Sequence, residues 1–264
     1  MTRFEAEKLF EGYQARLSAR AAGVLSSLEG RLDRVMLGWL LLAGLASAAR
    51  IATSPTRTPL DLASIAPYAL IVLAPFASMV LALRWFRNGD TLAQPQTRLA
   101  IIGKWRNVSR SEASSHPLFG TGGIMVSLLI GMLLNVPVRA AEYLTAMPAL
   151  SGRVPEWLSV LHAMMTFDAV VFTSLYAIAF VAALRRVPLF PRLLLAIWIG
   201  DVAMQLFTAQ MVAATPGLPP KVAGAVHVLL EGNVKKTLIS VALWLPYLLL
   251  SRRVNVTYRH RVQL

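Results

Sequence analysis

The chain has 264 residues, of which 56% are hydrophobic and only 15% charged, and its formal net charge is +13. This composition lies outside the range of ordinary soluble domains and indicates a membrane protein. The basic residues form short clusters between long apolar runs, which favours contact with anionic phospholipids over binding of nucleic acid. The absence of cysteine excludes disulfide frameworks, thiolate metal sites and cysteine nucleophiles.

Residues 1–34 place apolar side chains at intervals of three and four between charged ones. This spacing predicts an amphipathic helix that lies on the cytoplasmic leaflet. The simpler interpretation is an interfacial anchor, and the functional one is a lipid sensor or a docking helix for a partner. Because the segment has no uninterrupted apolar core, we do not expect a cleaved signal peptide.

Six apolar segments approach the roughly 20 residues that a helix needs to cross the hydrocarbon core. We therefore predict an all-α, polytopic helical membrane protein with an N-terminal transmembrane hairpin (35–85), a basic cytoplasmic loop (86–117), a four-helix membrane domain (118–258) and a cytoplasmic tail (259–264). Lys235 and Lys236 interrupt the last apolar run, so Val222–Val234 is predicted to lie along the outer interface. The predicted spans are Val35–Ile51, Leu62–Leu83, Leu118–Val138, Leu158–Leu184, Leu189–Ala214 and Thr237–Ser251.

Lysine and arginine are distributed unequally between the two sets of predicted loops. Short loops rich in these residues stay in the cytoplasm, so both termini are predicted to be cytoplasmic. The sparse set assigned to the outer side consists of Arg50, Arg57, Arg139, Arg153, Lys221, Lys235 and Lys236.

Two carboxylates lie inside predicted spans, where an ionisable group is costly unless it is paired or hydrated. Asp168 lies in the fourth span, and Asp201, Gln205 and Thr208 share one face of the fifth. Because these two helices run antiparallel, we expect Asp168 and Gln205 to lie at similar depth and to form a hydrogen bond. The simpler interpretation makes these groups interhelical links. The functional alternative is a proton or cation relay through both aspartates, with His162 at its outer mouth.

Gly123, Ser127 and Gly131 recur every four residues in the third predicted span. Such a ridge of small residues lets another helix approach closely, either within the bundle or from a second copy. His227 and Glu231 are spaced for weak metal binding on a helix, although a solvated face is the better explanation. No metal, nucleotide or nucleophile motif is present in the sequence, so we expect no cofactor and no metal site.

The stretch from Trp244 to Tyr258 reads WLPYLLLSRRVNVTY and follows PLFPRLLLAIWIGD at Pro188–Asp201. These residues resemble the bacterial membrane-protein family known as domain of unknown function 2569, whose last span ends in Trp-x-Pro-Tyr and then Ser-x-Arg-Val-x-x-Thr plus an aromatic residue. The resemblance covers about residues 117–260 and implies an inner-membrane location, without implying any catalytic residue. The chain lacks the Gly-Trp-Leu run at the family's first helix. The matching positions are Trp244, Pro246, Tyr247, Ser251, Arg253, Val254, Thr257 and Tyr258.

This closing motif also has a physical interpretation that does not depend on the family. Pro246 is expected to bend the last helix near the inner interface, while Trp244 and Tyr247 suit the headgroup boundary. Arg252 and Arg253 would then bind phosphates. A topological anchor explains the motif more simply than a ligand site.

The sequence therefore favours a non-enzymatic inner-membrane protein that acts through contacts with lipid or with other membrane proteins, including a second copy of itself. The first alternative is a small solute or ion-coupled transporter that uses Asp168 and Asp201. An intramembrane enzyme is the third hypothesis, and it requires His162, His227 and Glu231 to converge with Asp168 on one cavity.

Overall fold

A computed structural model of the protein describes residues 23–55, 61–97 and 103–264. Within these ranges the chain is an all-α, polytopic helical membrane protein, as predicted. Five helices are long and apolar enough to cross a bilayer, and a sixth span results if the bent pair α7–α8 counts as one. The elements are α1 Leu32–Ala52, α2 Leu62–Trp85, β1 Trp105–Asn107, α3 Arg110–Ser115, α4 Met125–Ala146, α5 Glu156–Leu184, α6 Phe190–Ala213, α7 Pro220–Leu250, α8 Arg252–Arg259 and β2 Arg261–Gln263, with a 3₁₀ turn at Gly89–Thr91.

The predicted amphipathic helix falls largely outside the described residues, which begin at residue 23. Residues 23–29 are helical and precede α1. Arg57, one of the basic residues assigned to the outer side, also lies outside the described residues.

The first turn of α2 shows how the sequence sets a helix end. Asp61 caps this helix: its Oδ1 atom accepts hydrogen bonds from the backbone N of Ser64 at 2.8 Å and from the Ser64 hydroxyl at 2.6 Å. These bonds lower the pKa of the Asp61 carboxyl below its ordinary value, and the bond from the Ser64 hydroxyl has the larger effect. The cap satisfies backbone donors that the helix itself leaves without a partner.

Helix α5 is the centre of the bundle, because it packs against α2, α4 and α6. Its last two turns are almost entirely buried, from Ala179 to Leu184. Helix α7 packs along α6, and α1 packs on α2 and α4 at the edge of the bundle. The apolar outer surfaces of these helices, such as Leu42 on α1, are the surfaces that lipid covers in a multi-pass protein.

One end of the bundle gathers three basic segments that are far apart in the chain. Strand β1 pairs with β2 in an antiparallel ribbon, with Arg106 opposite Val262. The turn at Gly89 lies against the segment that follows α5, where a Cβ on this glycine would come within 2.7 Å of the Arg185 carbonyl oxygen and of Val187. The segment 86–117, predicted as a loop, therefore contains ordered elements that close this end of the bundle.

The opposite end joins the α1–α2 connection to the segment after α4. The Nε atom of Arg50 donates to the carbonyl oxygen of Met147 at 3.0 Å, and the hydroxyl of Tyr68 donates to the same oxygen at 3.1 Å. The backbone N of Ala149 donates to the hydroxyl of Ser54 at 2.8 Å. The segments that meet at each end are thus those expected if successive spans run in opposite directions.

The boundaries of the third predicted span were wrong. We predicted Leu118–Val138, whereas α4 begins at Met125 and ends at Ala146. Gly120 and Gly123 adopt positive φ values of 105° and 66°, which delay the start of the helix. At the other end the helix continues through Pro137 and past Arg139, because a partner inside the bundle compensates the charge of that arginine.

The prediction for the last span was also wrong, because Val222–Val234 does not lie along the outer interface. It is the first half of a continuous 31-residue helix, α7. The two lysines do not interrupt this helix, since Lys235 pairs with Glu231 and Lys236 pairs with Glu142.

The bend near the inner end is displaced relative to the prediction. Helix α7 continues through Pro246, and the chain turns by 71° at the break between α7 and α8. Ser251 stands at this break as the N-cap of α8.

Candidate functional site

The centre of the membrane bundle holds an arginine bound to two aspartates. On α4, Arg139 donates from Nη1 to both carboxylate oxygens of Asp168 on α5, at 2.9 and 2.8 Å. Its Nη2 atom donates to both oxygens of Asp201 on α6, at 2.7 Å each. We call these three residues the charge triad, and it links three helices by charge-assisted hydrogen bonds.

A side-chain amide extends the charge triad toward α7. The Nε2 atom of Gln205 donates to Oδ1 of Asp168 at 2.8 Å, which confirms the hydrogen bond expected from the antiparallel depth of α5 and α6. Its Oε1 atom accepts a bond from Nδ2 of Asn233 at 3.3 Å. All four long helices of the C-terminal unit therefore contribute to one polar network.

Two hydroxyl groups and one ring complete the surroundings of the charge triad. Tyr176 and Thr237 donate to Oδ2 of Asp201 at 3.4 and 3.3 Å. The guanidinium carbon of Arg139 lies 4.9 Å from the ring centre of Phe172, which gives the cation an aromatic face as well as two carboxylates.

The charge triad is removed from the surface and lies deep along the helices. Asp201 is 0% exposed, Asp168 5% and Arg139 9%. At about 1.5 Å per residue, Arg139 lies about 21 Å along α4 from Met125, counted from the basic end of the bundle. That depth falls within a hydrocarbon core of about 30 Å.

A narrow opening between α4 and α7, which we call the polar cleft, reaches the charge triad at Arg139. Its volume is about 50 Å³. The Oδ1 atom of Asn135, which borders it, is buried and has no hydrogen-bond partner among the described residues. An ion pair between Lys236 and Glu142 bridges the two helices at the same opening. The polar lining consists of Asn135, Arg139, Glu142, Tyr176, Asn233, Lys236, Thr237 and Ser240.

His162, predicted at the mouth of a relay, is buried but forms a separate contact. Its Nε2 atom lies 3.2 Å from the hydroxyl of Tyr143, which also lies 2.9 Å from the hydroxyl of Thr166. This group joins α4 to α5 farther from the basic end of the bundle than the charge triad. The structure thus does not bring His162 into contact with Asp168.

The remaining intramembrane candidates occupy different surroundings. Thr208, on the face of Asp201, is buried. Gly123 lies before the first residue of α4, so the prediction of a three-residue helical ridge was wrong at that position. Ser127 and Gly131 are on α4 and face outward, and a Cβ at Gly131 would have no heavy atom within 4 Å.

The closing motif forms a set of contacts that holds the entry to α4. Thr257 accepts a hydrogen bond from the backbone N of Gly120 at 3.0 Å. Nη1 of Arg253 donates to the carbonyl oxygens of Leu118 and Gly120 at 3.3 and 3.4 Å, and its role in phosphate binding stays a prediction. The hydroxyl of Tyr258 donates to the carbonyl oxygen of Ala183 at 2.8 Å.

The aromatic residues near the end of α7 contact each other, and the first residue of α8 is an exposed arginine. The rings of Trp244 and Tyr247 stack edge-on with centres 6.0 Å apart. Arg252 is exposed at the basic end of the bundle and remains a candidate for contact with lipid phosphates.

The metal hypothesis at His227 gains no support from geometry, because Glu231 pairs with Lys235 at 2.7 Å. In the part of the chain that the structure describes, no group of three or more His, Cys, Asp or Glu side chains could hold a metal ion.

Sequence reasoning missed Arg139, the central residue of the site. It was assigned to an outer loop because it follows Pro137 in a run that had already reached the length of a span. Two signals could have found it. The apolar run resumes after it with Ala140 and Ala141, and two aspartates inside a membrane require a cationic partner.

No family model matches the chain, and neither the curated proteins nor the solved structures contain a significant match. The resemblance at Trp244–Tyr258 to domain of unknown function 2569 therefore stays a prediction.

Proposed function

We propose that this multi-pass protein resides in the inner membrane of a bacterium and acts without catalysis, by binding a transmembrane helix of another membrane protein or of a second copy. The observation that carries the proposal is an uncovered face of α4. Five residues at heptad-like spacing, beginning at the N-cap of this helix, are all exposed, and two of them are small. They are Ile124, Ser127, Gly131, Leu134 and Val138.

The shape of this face suits a helix as its occupant. Large apolar side chains at Ile124, Leu134 and Val138, which are 64%, 56% and 50% exposed, flank the small pair at the centre. Because the side chains at the centre of the face are small, two helix backbones can approach closely there and gain dispersion contacts that lipid does not supply. Anionic phospholipids at the basic end are the second class of contact, since arginine and lysine concentrate there.

Gly131→Leu tests the proposal without disturbing the bundle, because the site of the new side chain is open. We expect the variant to fold normally and to lose the partners that copurify with the wild-type protein after gentle solubilisation. The matched control is Leu243→Ala on the exposed face of α7, which should retain them.

A cross-linking experiment identifies the partner directly. Because the chain contains no cysteine, Gly131→Cys should form one defined adduct in native membranes, whereas Leu243→Cys should not. A protein that is always recovered alone at native expression, with equal cross-linking at both positions, would overturn the proposal.

The second candidate function is an ion-coupled transporter, and the charge triad beside the polar cleft favours it. Charged groups at this depth accompany substrate and ion pathways in many membrane proteins. In proteoliposomes under an imposed membrane potential, proton flux should exceed that of empty vesicles and should disappear in Asp201→Asn. Ser240→Ala is the comparison variant, because it alters the polar cleft and leaves the triad intact. Equal proton flux in wild-type, Asp201→Asn and empty vesicles would exclude the candidate.

A further inference from the structure

The charge triad is not electrically neutral. It contains one guanidinium and two carboxylates, all buried, so its formal charge is −1. Lys236, which lines the polar cleft together with Arg139, is paired with Glu142 and does not compensate this excess. A net charge inside the hydrocarbon region is strongly disfavoured, and a buried carboxyl group that lacks a full complement of partners takes up a proton instead.

We propose that the charge triad binds one exchangeable proton and that Asp168 carries it. This inference deepens the second candidate function by naming the ion, and it rests on that candidate only for its use in transport. The binding site itself follows from the charges and the hydrogen bonds.

The two aspartates differ in how well their negative charge is stabilised. Asp201 accepts bonds from Arg139 and from the hydroxyls of Tyr176 and Thr237. Asp168 accepts bonds from Arg139 and from Gln205, and its Oδ2 atom accepts from Arg139 alone. Since hydrogen-bond donors favour the ionised form, Asp168, which has fewer donors than Asp201, is the carboxyl that takes the proton.

The helices around Asp168 differ in the charged and hydrogen-bonding groups that they bring near its carboxyl group. Helix α4 provides Arg139 and α6 provides Asp201 and Gln205. Helix α7 provides Asn233, which bonds Gln205, and Thr237, which donates to Asp201. The only residue of α2 with a full charge is Arg84, exposed in its last turn.

The polar cleft provides the route by which the proton exchanges with solvent. Its volume of about 50 Å³ is sufficient for water. The unpartnered Oδ1 atom of Asn135 is a hydrogen-bond acceptor at that opening, and Arg139 borders both the cleft and Asp168. Water in the cleft therefore comes within one side chain of the proton site.

Infrared difference spectroscopy of the full chain in lipid nanodiscs tests the proposal, because a protonated carboxyl group has a carbonyl stretch that a carboxylate lacks. We expect the wild-type protein to show this band and to lose it as pH is raised. Isotope-labelled aspartate should shift the band, which assigns it to an aspartate even if a variant fails to fold. Absence of the band near neutral pH, where exposed carboxyl groups are ionised, or a band that labelled aspartate leaves in place, would overturn the proposal.

Two matched variants assign the proton to one residue. Asp168→Asn should abolish the band, whereas Asp201→Asn should retain a carboxyl at position 168 and change only the pH at which the band disappears. Both variants neutralise the triad, so both should fold, as circular dichroism will show. A band that persists in Asp168→Asn contradicts the assignment.

A metal cation is the competing source of positive charge. If sodium or potassium ions raise the melting temperature of the wild-type protein but not of Asp168→Asn, and the band is absent, the triad binds a metal cation and the proton proposal fails. A band without any proton flux in vesicles would retain the proton site and reject only the transporter.

Discussion

At the residue scale, the stability of the bundle depends on which charges have partners. Arg139 satisfies two buried carboxylates at once, so its loss exposes both to an apolar environment. A buried ion pair adds little net stability compared with apolar packing, but removal of one partner is costly because the other charge remains. The triad is therefore sensitive to loss of the arginine alone and tolerant of its replacement together with both aspartates.

We expect Arg139→Met to lower the free energy of unfolding by about 3–5 kcal/mol, since two aspartates lose their common partner. Combining it with Asp168→Asn and Asp201→Asn should recover much of that loss. Chemical unfolding in detergent measures all three proteins, with Arg153→Met in an exposed loop as the control. If the single and triple variants are equally unstable, the charges are not the reason.

Gly89→Ala should destabilise the protein by about 1–3 kcal/mol because the new methyl group overpacks the contact with the segment after α5. Its Cβ would lie 2.7 Å from the Arg185 carbonyl oxygen. Thermal unfolding should show the loss, while Gly44→Ala in α1, which has open space around it, should leave the melting temperature unchanged or higher. Equal melting temperatures for Gly89→Ala and wild type would contradict the tight contact.

The sequence predicted part of this site because Asp168 and Gln205 follow from helical spacing and antiparallel depth alone. It did not predict Arg139, since the end of a helix in a membrane depends on whether a partner compensates a charge. That partner lies 29 residues away in sequence for Asp168 and 62 for Asp201. A local pattern does not contain such distant information.

At the element scale, helix ends proved less predictable than helix centres. The apolar core of each long helix was predicted from hydrophobicity, whereas the start of α4 depends on glycines in left-handed conformations and the continuity of α7 depends on ion pairs with Glu142 and Glu231. Helix α8 was predicted only as an anchoring segment. Its contacts with Leu118 and Gly120 show that it instead fixes the chain before α4.

Thr257→Val should lower stability by about 1–3 kcal/mol, because the backbone N of Gly120 loses its acceptor in a partly buried place. Hydrogen exchange at Gly120 should increase more than exchange in α5. Thr145→Val, whose hydroxyl bonds only its own exposed helix turn, is the control. Unchanged exchange at Gly120 would show that α8 does not hold this segment.

The Asp61 cap should make the first turn of α2 sensitive to acid. The folded-state pKa of this carboxyl is lowered, so its stabilising contribution is present above the ordinary value of 3.8 and is lost as pH falls through the lowered value. The protection of the Ser64 amide against hydrogen exchange, measured relative to its intrinsic exchange rate at each pH, should therefore fall in acid. Asp61→Asn should keep the cap and remove this pH dependence, and a dependence that persists in that variant would assign it to another group.

At the scale of the whole molecule, the structure strengthens the unequal distribution of charge between the two ends. Arg139 is buried in the bundle, and Lys235 and Lys236 lie within α7, so these residues leave the set assigned to outer loops. Arg50, Arg153 and Lys221 remain there among the described residues. The orientation with the basic end in the cytoplasm stays a proposal, supported by this difference.

Single cysteines test the orientation, since the natural chain has none. In intact cells, a membrane-impermeant maleimide should label Arg153→Cys and should label Ser114→Cys only after lysis; both positions are exposed. The reverse pattern would invert the topology.

The ribbon at the basic end has a consequence for biosynthesis. Asn107 and Arg261, which meet in it, are 154 residues apart in sequence. Four further long helices must be synthesised and inserted before β1 meets its partner. Pairing of strands that are so far apart in sequence is slow. Closure of the ribbon is therefore a late event in maturation, and newly made chains should pass through a stage in which this side is open to proteases and chaperones.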